Sequence, residues 1–444
     1  MPNFQETRAM PQQPSSTALE PARMTTPTAD TLRAGISRGT SRRSFLGGAI
    51  AVSCGAAGGL PAGGLFAGGE QRLRVGLVGC GGRGTGAAAQ AMAADPTVRV
   101  VALGDVFADQ VASAVEVLGG PQGAAEKQFD CPPARRFVGH DAYRRVIESG
   151  VDVVLLAAPP HVRPLHLEAA VAAGKHVYCE KPVAIDAAGV VRAALAAARG
   201  RAAGLALVSG FCFRHDERMV ELVERIHDGA IGRPLAVQAH AAIGLPWRKP
   251  IDSRHDQGEW PLRNWISFAR FSGGHLVEHH VQAIDRAVWI LGDVPPVAAE
   301  PLASPAPTTG SGFDGAIGAI GDCPAAAAVR YRFADGRTIE ASIDRREQFS
   351  DRIVETAVGS AGTCDLVRGR IVGRGAWAAG PAPRAGRHAA TIEGLVRGIL
   401  SGRVAHDGET MCRSTLTAVM GRMAVETGRP VAWGDLASRA SATA

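Results

Sequence analysis

The chain has 444 residues, 46% hydrophobic and 20% charged, enough for two cores behind a leader and ordinary for a globular protein. Half of its net charge of +6 sits in residues 1–69, with six arginines against three acids, so the body gives no reason to expect nucleic acid as a partner. Of eight cysteines, seven follow Ala67 and none forms a Cys-x-x-Cys pair, which argues against a disulfide framework or a zinc ribbon.

Residues 1–40 are rich in Ser, Thr, Pro and Ala without periodicity, the composition of a disordered leader. Ser41-Arg42-Arg43-Ser44-Phe45-Leu46 then opens an apolar, small-residue run to about Ala67. Paired arginines before such a run resemble a twin-arginine export signal, and its glycines make it a poor membrane span. The expectation is export of a folded protein to the periplasm by the twin-arginine machinery, with cleavage near Ala67. Met24 is an alternative start, and Ala51-Val-Ser-Cys54 offers a weaker, lipid-anchored alternative.

Arg72 to Val78 becomes an apolar strand and runs into Gly79-Cys80-Gly81-Gly82-Arg83-Gly84, followed by an Ala-rich helix to Ala94. This is the context in which Gly-x-Gly-x-x-Gly holds a dinucleotide. Gly79 permits the tight turn, Gly81 lets backbone approach a pyrophosphate, Gly84 lets helix and strand pack closely, and the helix N-terminus favours phosphate charge. A second strand, Val98 to Leu103, ends at Asp105, about 20 residues beyond the third glycine, where an acid binds the adenosine ribose.

The alternation continues with a strand from Val151 to Ala158 ending in Pro159-Pro160-His161, and a helix from Leu165 to Ala173 stopped by Gly174. Next come a strand from His176 to Cys179 carrying Glu180-Lys181-Pro182 at its end, a helix from Ala187 to Arg199 and a strand from Leu205 to Val208. The pattern predicts a Rossmann-type doubly wound parallel sheet over residues 70–200, with its carboxyl-end loops converging on one crevice. Lys181 stands out as one of four lysines beside 44 arginines. An amine can give up a proton where a guanidinium cannot, although a plain ion pair with a neighbouring carboxylate explains it as well.

Residues 201–436 form the expected second domain, before a short tail (437–444). An amphipathic helix from Asp216 to Asp228 buries Met219, Leu222, Val223 and Ile226, and Pro234 to Ala242 reads as a strand. Phe333-Ala-Asp-Gly336 joins two β-like runs, Ala327 to Phe333 and Thr338 to Ile343, in a hairpin, and helices at His388 to Leu400 and Glu409 to Glu426 close the chain. Gly244 to Ser272 is irregular but carries Trp247, Trp260, Arg263, Asn264 and Trp265, suited to a sugar ring or, as readily, to anchoring a long loop. His275-Leu-Val-Glu278-His279-His280-Val-Gln282-Ala-Ile-Asp285 opens a helix expected to run to Leu291, with Glu278, Gln282 and Asp285 on one face.

Taken together, these stretches resemble the glucose–fructose oxidoreductase/inositol dehydrogenase (Gfo/Idh/MocA) family. The matching segments are Gly76 to Gly84, Ala157 to His161, Ala172 to Val177, Glu180-Lys181-Pro182, Ile226 to Gly232, Arg263-Asn264-Trp265, Gly273 to Asp285, and Ser414 to Met423. The resemblance implies a nucleotide-binding domain followed by an α+β domain with an open, mainly antiparallel sheet, which faces the substrate and forms a homo-oligomer, dimer or tetramer. It implies a tightly held NAD, with NADP as the alternative, and a sugar-like substrate.

In such a family Lys181 is catalytic, an acid at Glu278 assists, and a histidine is usual where this chain has Gln282, so Lys181, with Glu278 or a neighbouring His279 or His280, would have to substitute. Glutamine orients a hydroxyl but relays no proton near neutral pH. The candidate catalytic residues are therefore Lys181, Glu278, His280 and Gln282. The cofactor set adds Glu180, Lys181 and Pro159 to His161 to the glycine loop and Asp105, and the substrate set is Arg214, Trp247, Arg263, Asn264, Trp265, His275 and His279.

Three readings compete with a dehydrogenase. One is a glycosidase that oxidises a sugar transiently through bound NAD. His275-x-x-Glu278-His279 also matches a zinc-hydrolase pattern, although no third ligand is evident. The last is a protein that holds a nucleotide without catalysis.

Overall fold

The computed structural model describes residues 72–120, 128–250, 257–303, 321–345, 351–381 and 386–436. The arginine pair, Cys54 and the tail lie outside the described residues. Among the described residues no helix is long and apolar enough to cross a membrane.

The first half builds a six-stranded parallel sheet from β1 (Leu73–Val78), β2 (Val98–Asp105), β3 (Arg136–Val138), β4 (Val153–Leu156), β5 (His176–Cys179) and β6 (Leu207–Ser209). Their order is β3-β2-β1-β4-β5-β6, so the chain reverses direction across the sheet between β1 and β4. Carboxyl-end loops part at such a switch point and leave a crevice. Helices α1 (Gly82–Ala94) and α2 (Ala108–Gly119) cover one face; α3 (Ala142–Glu148), α4 (Arg163–Ala172) and α5 (Ala187–Ala202) cover the other. Both faces are dry, which is why β4 and β5 read as unbroken apolar runs.

Strand β6 runs past the expected boundary at residue 200. The sequence reading did not place β3, a strand of three residues, or the helices on either side of it.

The second half begins with α6 (Glu217–His227), capped by the Asp216 side chain and buried through Met219, Leu222, Val223 and Ile226. A nine-stranded sheet follows: β7 (Pro234–Ala242), β8 (Ala298–Pro301), β9 (Ala326–Arg332), β10 (Thr338–Asp344), β11 (Arg352–Gly359), β12 (Gly362–Asp365), β13 (Arg370–Gly373), β14 (Trp377–Ala378) and β15 (Val431–Ala432). Its order is β14-β13-β12-β11-β7-β10-β9-β8-β15, and every pair is antiparallel except β7 with β10.

Between β7 and β8 lie the short helices α7 (Trp260–Arg263), α8 (Ala269–Ser272) and α9 (Gly274–Glu278), then α10 (Val281–Ile290). The single helix expected from His275 to Leu291 is thus two, with a break at His279-His280. Glu278 meets Lys181, whereas Asp285 meets Arg214 and Ser414.

Two closing helices tie the halves together. Helix α11 (Gly386–Leu400) returns to the first domain, where Ile392, Leu395, Val396 and Ile399 join the core under α1 and α2. Helix α12 (Gly408–Thr427) buries Met411, Ala418, Val419 and Met420 in a core shared by both sheets. Its Thr415 hydroxyl accepts from the Val183 amide, pinning the segment that follows Lys181.

Candidate functional site

The glycine loop leaves β1 and enters α1 as expected. Gly79 has φ of +95°, in the left-handed region, and a Cβ there would collide with the Ala158 backbone. A Cβ on Gly84 would strike the Gly79 carbonyl, whereas one on Gly81 or Gly82 would meet nothing within 4 Å. The outer glycines therefore serve packing, and the inner two leave bare backbone facing open space at a helix N-terminus. That arrangement fits a dinucleotide pyrophosphate.

This open space is a cavity of about 420 Å³ walled by the glycine loop, Asp105, Pro159, His161 and, from the second domain, Trp247, Lys249, Arg263 and Trp265. Asp105 ends β2 with its carboxylate accepting from the Cys80 amide at 2.7 Å and the Phe107 amide at 3.0 Å. Burial raises its pKa, and these two bonds oppose the rise. Asp105 thus shapes the glycine loop while still facing the cavity. The Cys80 side chain is buried against Gly104, and Pro160 is buried outside the wall. Neither side chain reaches the cavity, contrary to the sequence reading.

The wall stops short of the Glu180-Lys181-Pro182 segment, whose Lys181–Pro182 peptide is cis. Glu180 is buried, accepting from Arg83 Nε at 2.7 Å, the Tyr178 hydroxyl at 2.6 Å and the Lys181 amide at 3.1 Å. Burial alone would raise its pKa, but Arg83, the tyrosine hydroxyl and Lys181 outweigh it and hold the carboxyl below its ordinary value. Glu180 is therefore a brace between the glycine loop and the strand end, not a wall residue.

Lys181 Nζ donates to the Glu278 carbonyl at 2.7 Å and lies 3.4 Å from the Glu278 carboxylate. Burial raises the Glu278 pKa, with Lys181 and Arg163 pulling the other way, and its Oε2 is buried without a hydrogen-bond partner. Sequence reasoning placed Lys181 and Glu278 on separate domains; the structure brings them together.

Several other candidates are placed differently. His280 is buried and donates through Nε2 to the Ala239 carbonyl of β7 at 2.9 Å, facing the sheet core rather than Lys181. Arg214 is held by Asp285 and Asp293 at 2.8 and 2.7 Å, so it is a structural ion pair and not a substrate ligand. Asn264 is fully buried and bonds Lys249 and Trp260, fastening the loop. Trp247, Arg263 and Trp265 line the nucleotide cavity instead of a separate sugar site. Arg263 reaches across to Asp109 at 3.0 Å and lies 3.8 Å above the Phe107 ring, so the loop straps the cavity mouth.

His161 packs its ring 4.9 Å from Phe271, and burial pushes its pKa down to about 4, so it is neutral. Gln282 Nε2 lies 3.7 Å from the Cys212 thiol, which in turn is 3.9 Å from His388 Nε2 on α11.

Sequence reasoning missed His388, Arg163, Lys249 and Arg345. Arg163 is buried at the start of α4 and donates to the carbonyls of Pro182 and Ala158, locking two carboxyl-end loops together. No signal distinguished it among so many arginines. His275 is buried with neither ring nitrogen bonded, and the His279 ring stands 5.3 Å away. Among the described residues no three His, Cys, Asp or Glu side chains are grouped to hold a metal ion. Glu278 of the His-x-x-Glu-His pattern is turned to Lys181.

Residues 73–205 match the family model GFO_IDH_MocA, described as an oxidoreductase family with an NAD-binding Rossmann fold. That match spans β1 to β5 with the helices between them. A myo-inositol 2-dehydrogenase of Thermotoga maritima is 27% identical over 221 residues, 50% of this chain and 55% of that protein. Inositol 2-dehydrogenase 4 of Saccharopolyspora erythraea is 33% identical over 179 residues, 40% of this chain and 48% of that protein. The chain thus spans about half the length of these curated relatives.

The fold likeness runs further. A levoglucosan dehydrogenase in complex with NADH and levoglucosan superposes with a TM-score of 0.63 at 18% identity, covering 82% of this chain and 99% of that one. GenD2 from gentamicin A biosynthesis, in complex with NAD, gives 0.60 at 20% identity, covering 84% and 99%. The parallel sheet and the mainly antiparallel sheet of the Gfo/Idh/MocA fold are both present.

Proposed function

We propose that the protein is an NAD-dependent oxidoreductase acting on a ring hydroxyl of a sugar, cyclitol or derivative. The observation that carries this reading is the Lys181–Glu278 pair, 2.7 Å from amine to carbonyl and 3.4 Å to carboxylate, at the end of β5 on the same edge of the sheet as the cavity lined by the glycine loop and Asp105. Relatives named inositol 2-dehydrogenase and a neighbour named levoglucosan dehydrogenase support the substrate class.

The bare backbone at Gly81 and Gly82 would take the pyrophosphate and Asp105 the adenosine ribose. Arg83 is engaged by Glu180 and Gln90, and the Asp105 carboxylate repels a 2′-phosphate, which supports NAD over NADP. When bound, the nicotinamide supplies the hydride acceptor. Lys181 Nζ would hold the substrate hydroxyl and assist removal of its proton as hydride leaves the same carbon for the nicotinamide, and Glu278 and Arg163 fix where that amine stands.

Gln282 lies against Cys212 and leaves the proton transfer to Lys181. The twin-arginine-like segment supports export in the folded state to the periplasm. The exposed Ile353, Val354 and Val372 on the second sheet support oligomer formation there.

The test is a screen of sugars and cyclitols for reduced nicotinamide, with Lys181→Met beside the wild type. Loss of about 10³-fold in turnover with cofactor still bound is expected, within the usual worth of a general acid–base group. Turnover within about tenfold of wild type would refute the assignment. Phenol release from aryl glycosides without net NADH would replace it with the glycosidase reading.

A further inference from the structure

Against α9, the helix that carries Glu278, the structure holds a buried positive charge that the proposed chemistry does not use. Strand β10 turns Ile339, Ala341 and Ile343 into the core, and Arg345 continues that inward row at 7% exposure, its amide bonded to the Ala325 carbonyl. Among the described residues, each of the other buried arginines has at least one carboxylate or carbonyl partner, although Arg163, Arg286 and Arg413 also keep a buried nitrogen without one. Arg263, Arg286 and Arg413 pair with carboxylates, and Arg163 donates to two carbonyls. Arg345 Nε has no hydrogen-bond partner, and no described carboxylate stands within ion-pair distance. The acid whose field reaches it, Asp351, is exposed and accepts from the Gly244 amide. A buried guanidinium without a close counter-charge is costly unless a ligand supplies one.

Helix α9, packed on β9 and β10, adds His275 and His279 within the field of Arg345. His275 is 3% exposed with both ring nitrogens unbonded, and His279 Nδ1 is likewise buried and unbonded. Burial first, then Arg345, push His275 down to about 4, and burial and Arg345 hold His279 well below its ordinary value. Both rings are therefore neutral, each offering one N–H. Lys181 Nζ is bonded at 2.7 Å to the carbonyl of Glu278, the residue before His279, which ties the amine to this pair of rings.

We propose that the substrate is a sugar acid whose carboxylate is seated by Arg345, His275 and His279 while its reacting hydroxyl meets Lys181. This rests on the oxidoreductase reading and narrows it. The guanidinium supplies the charge-assisted donors, the imidazoles supply further N–H groups, and a neutral cyclitol would leave Arg345 uncompensated.

The test titrates the cofactor-loaded full chain with D-glucuronate, D-galacturonate and their amides, reading binding by calorimetry and turnover by NADH. The wild type is expected to bind an acid about 100-fold more tightly than its amide, and Arg345→Gln to bring the two within about threefold. Equal binding of acid and amide by the wild type, or an acid preference that survives Arg345→Gln, overturns the proposal. Should that variant fail to fold, the wild-type ratio decides alone. The two readings fail separately: a bound acid that is never oxidised sinks the oxidoreductase reading, whereas oxidation of neutral sugars without acid preference sinks the anion seat.

Discussion

Replacing His280 with glutamine separates a core histidine from a catalytic one. The imidazole is 3% exposed, donates to the Ala239 carbonyl at 2.9 Å, and burial pushes its pKa from 6.5 to about 4. Because the folded pKa lies below the unfolded one, the unfolded chain binds the extra proton. The histidine's contribution is whole above pH 6.5 and is lost as pH falls toward 4. Between pH 7 and pH 5 this one group costs about 2 kcal/mol of stability, at about 1.4 kcal/mol per unit once the unfolded imidazole is charged.

Glutamine keeps an N–H donor for the Ala239 carbonyl and takes up no proton. Urea unfolding of His280→Gln at both pH values should therefore show about 2 kcal/mol less acid loss than wild type, with NADH formation little changed. An unaltered acid slope would refute the buried-neutral assignment. Lost turnover at full stability would return His280 to the catalytic residues.

Two further perturbations probe the nucleotide cavity. Gly84→Ala should destabilise the first domain by about 1–3 kcal/mol, because its methyl would meet the Gly79 carbonyl. Gly81→Ala, in open space, should leave the unfolding midpoint unchanged and weaken cofactor binding in a direct titration. Arg263→Ala removes the Asp109 pair and the stacking on Phe107, and should speed cofactor release about tenfold. A release rate equal to wild type would show that the loop is not a strap.

The first domain was readable because its signals are local. Strand, glycines, helix and acid follow one another within β1 to β2, although the close approach that requires glycine at 79 is to Ala158 on a neighbouring loop. The second domain was readable only where periodicity was strong, as in α6 and the β9–β10 hairpin. Extending the two-residue alternation of β10 by one step would have placed Arg345 on the inward face. The helix break at His279-His280 carries no proline or glycine, so periodicity ran straight through it and put Glu278 and Asp285 together.

By itself, then, the sequence determined a dinucleotide domain and the delivery of Lys181 to a strand's carboxyl end. Those features depend on short-range geometry and on apolar runs that only a sheet buried on both faces explains. The family resemblance already pointed to Glu278 as that lysine's acid; tertiary structure alone decided which histidine is core and which arginine lacks a counter-charge. Lys181 and Glu278 are 97 residues apart, and Arg345 follows β10, another element again. A pairing across that separation is set by how two sheets and α12 pack, which the local pattern around each residue does not encode.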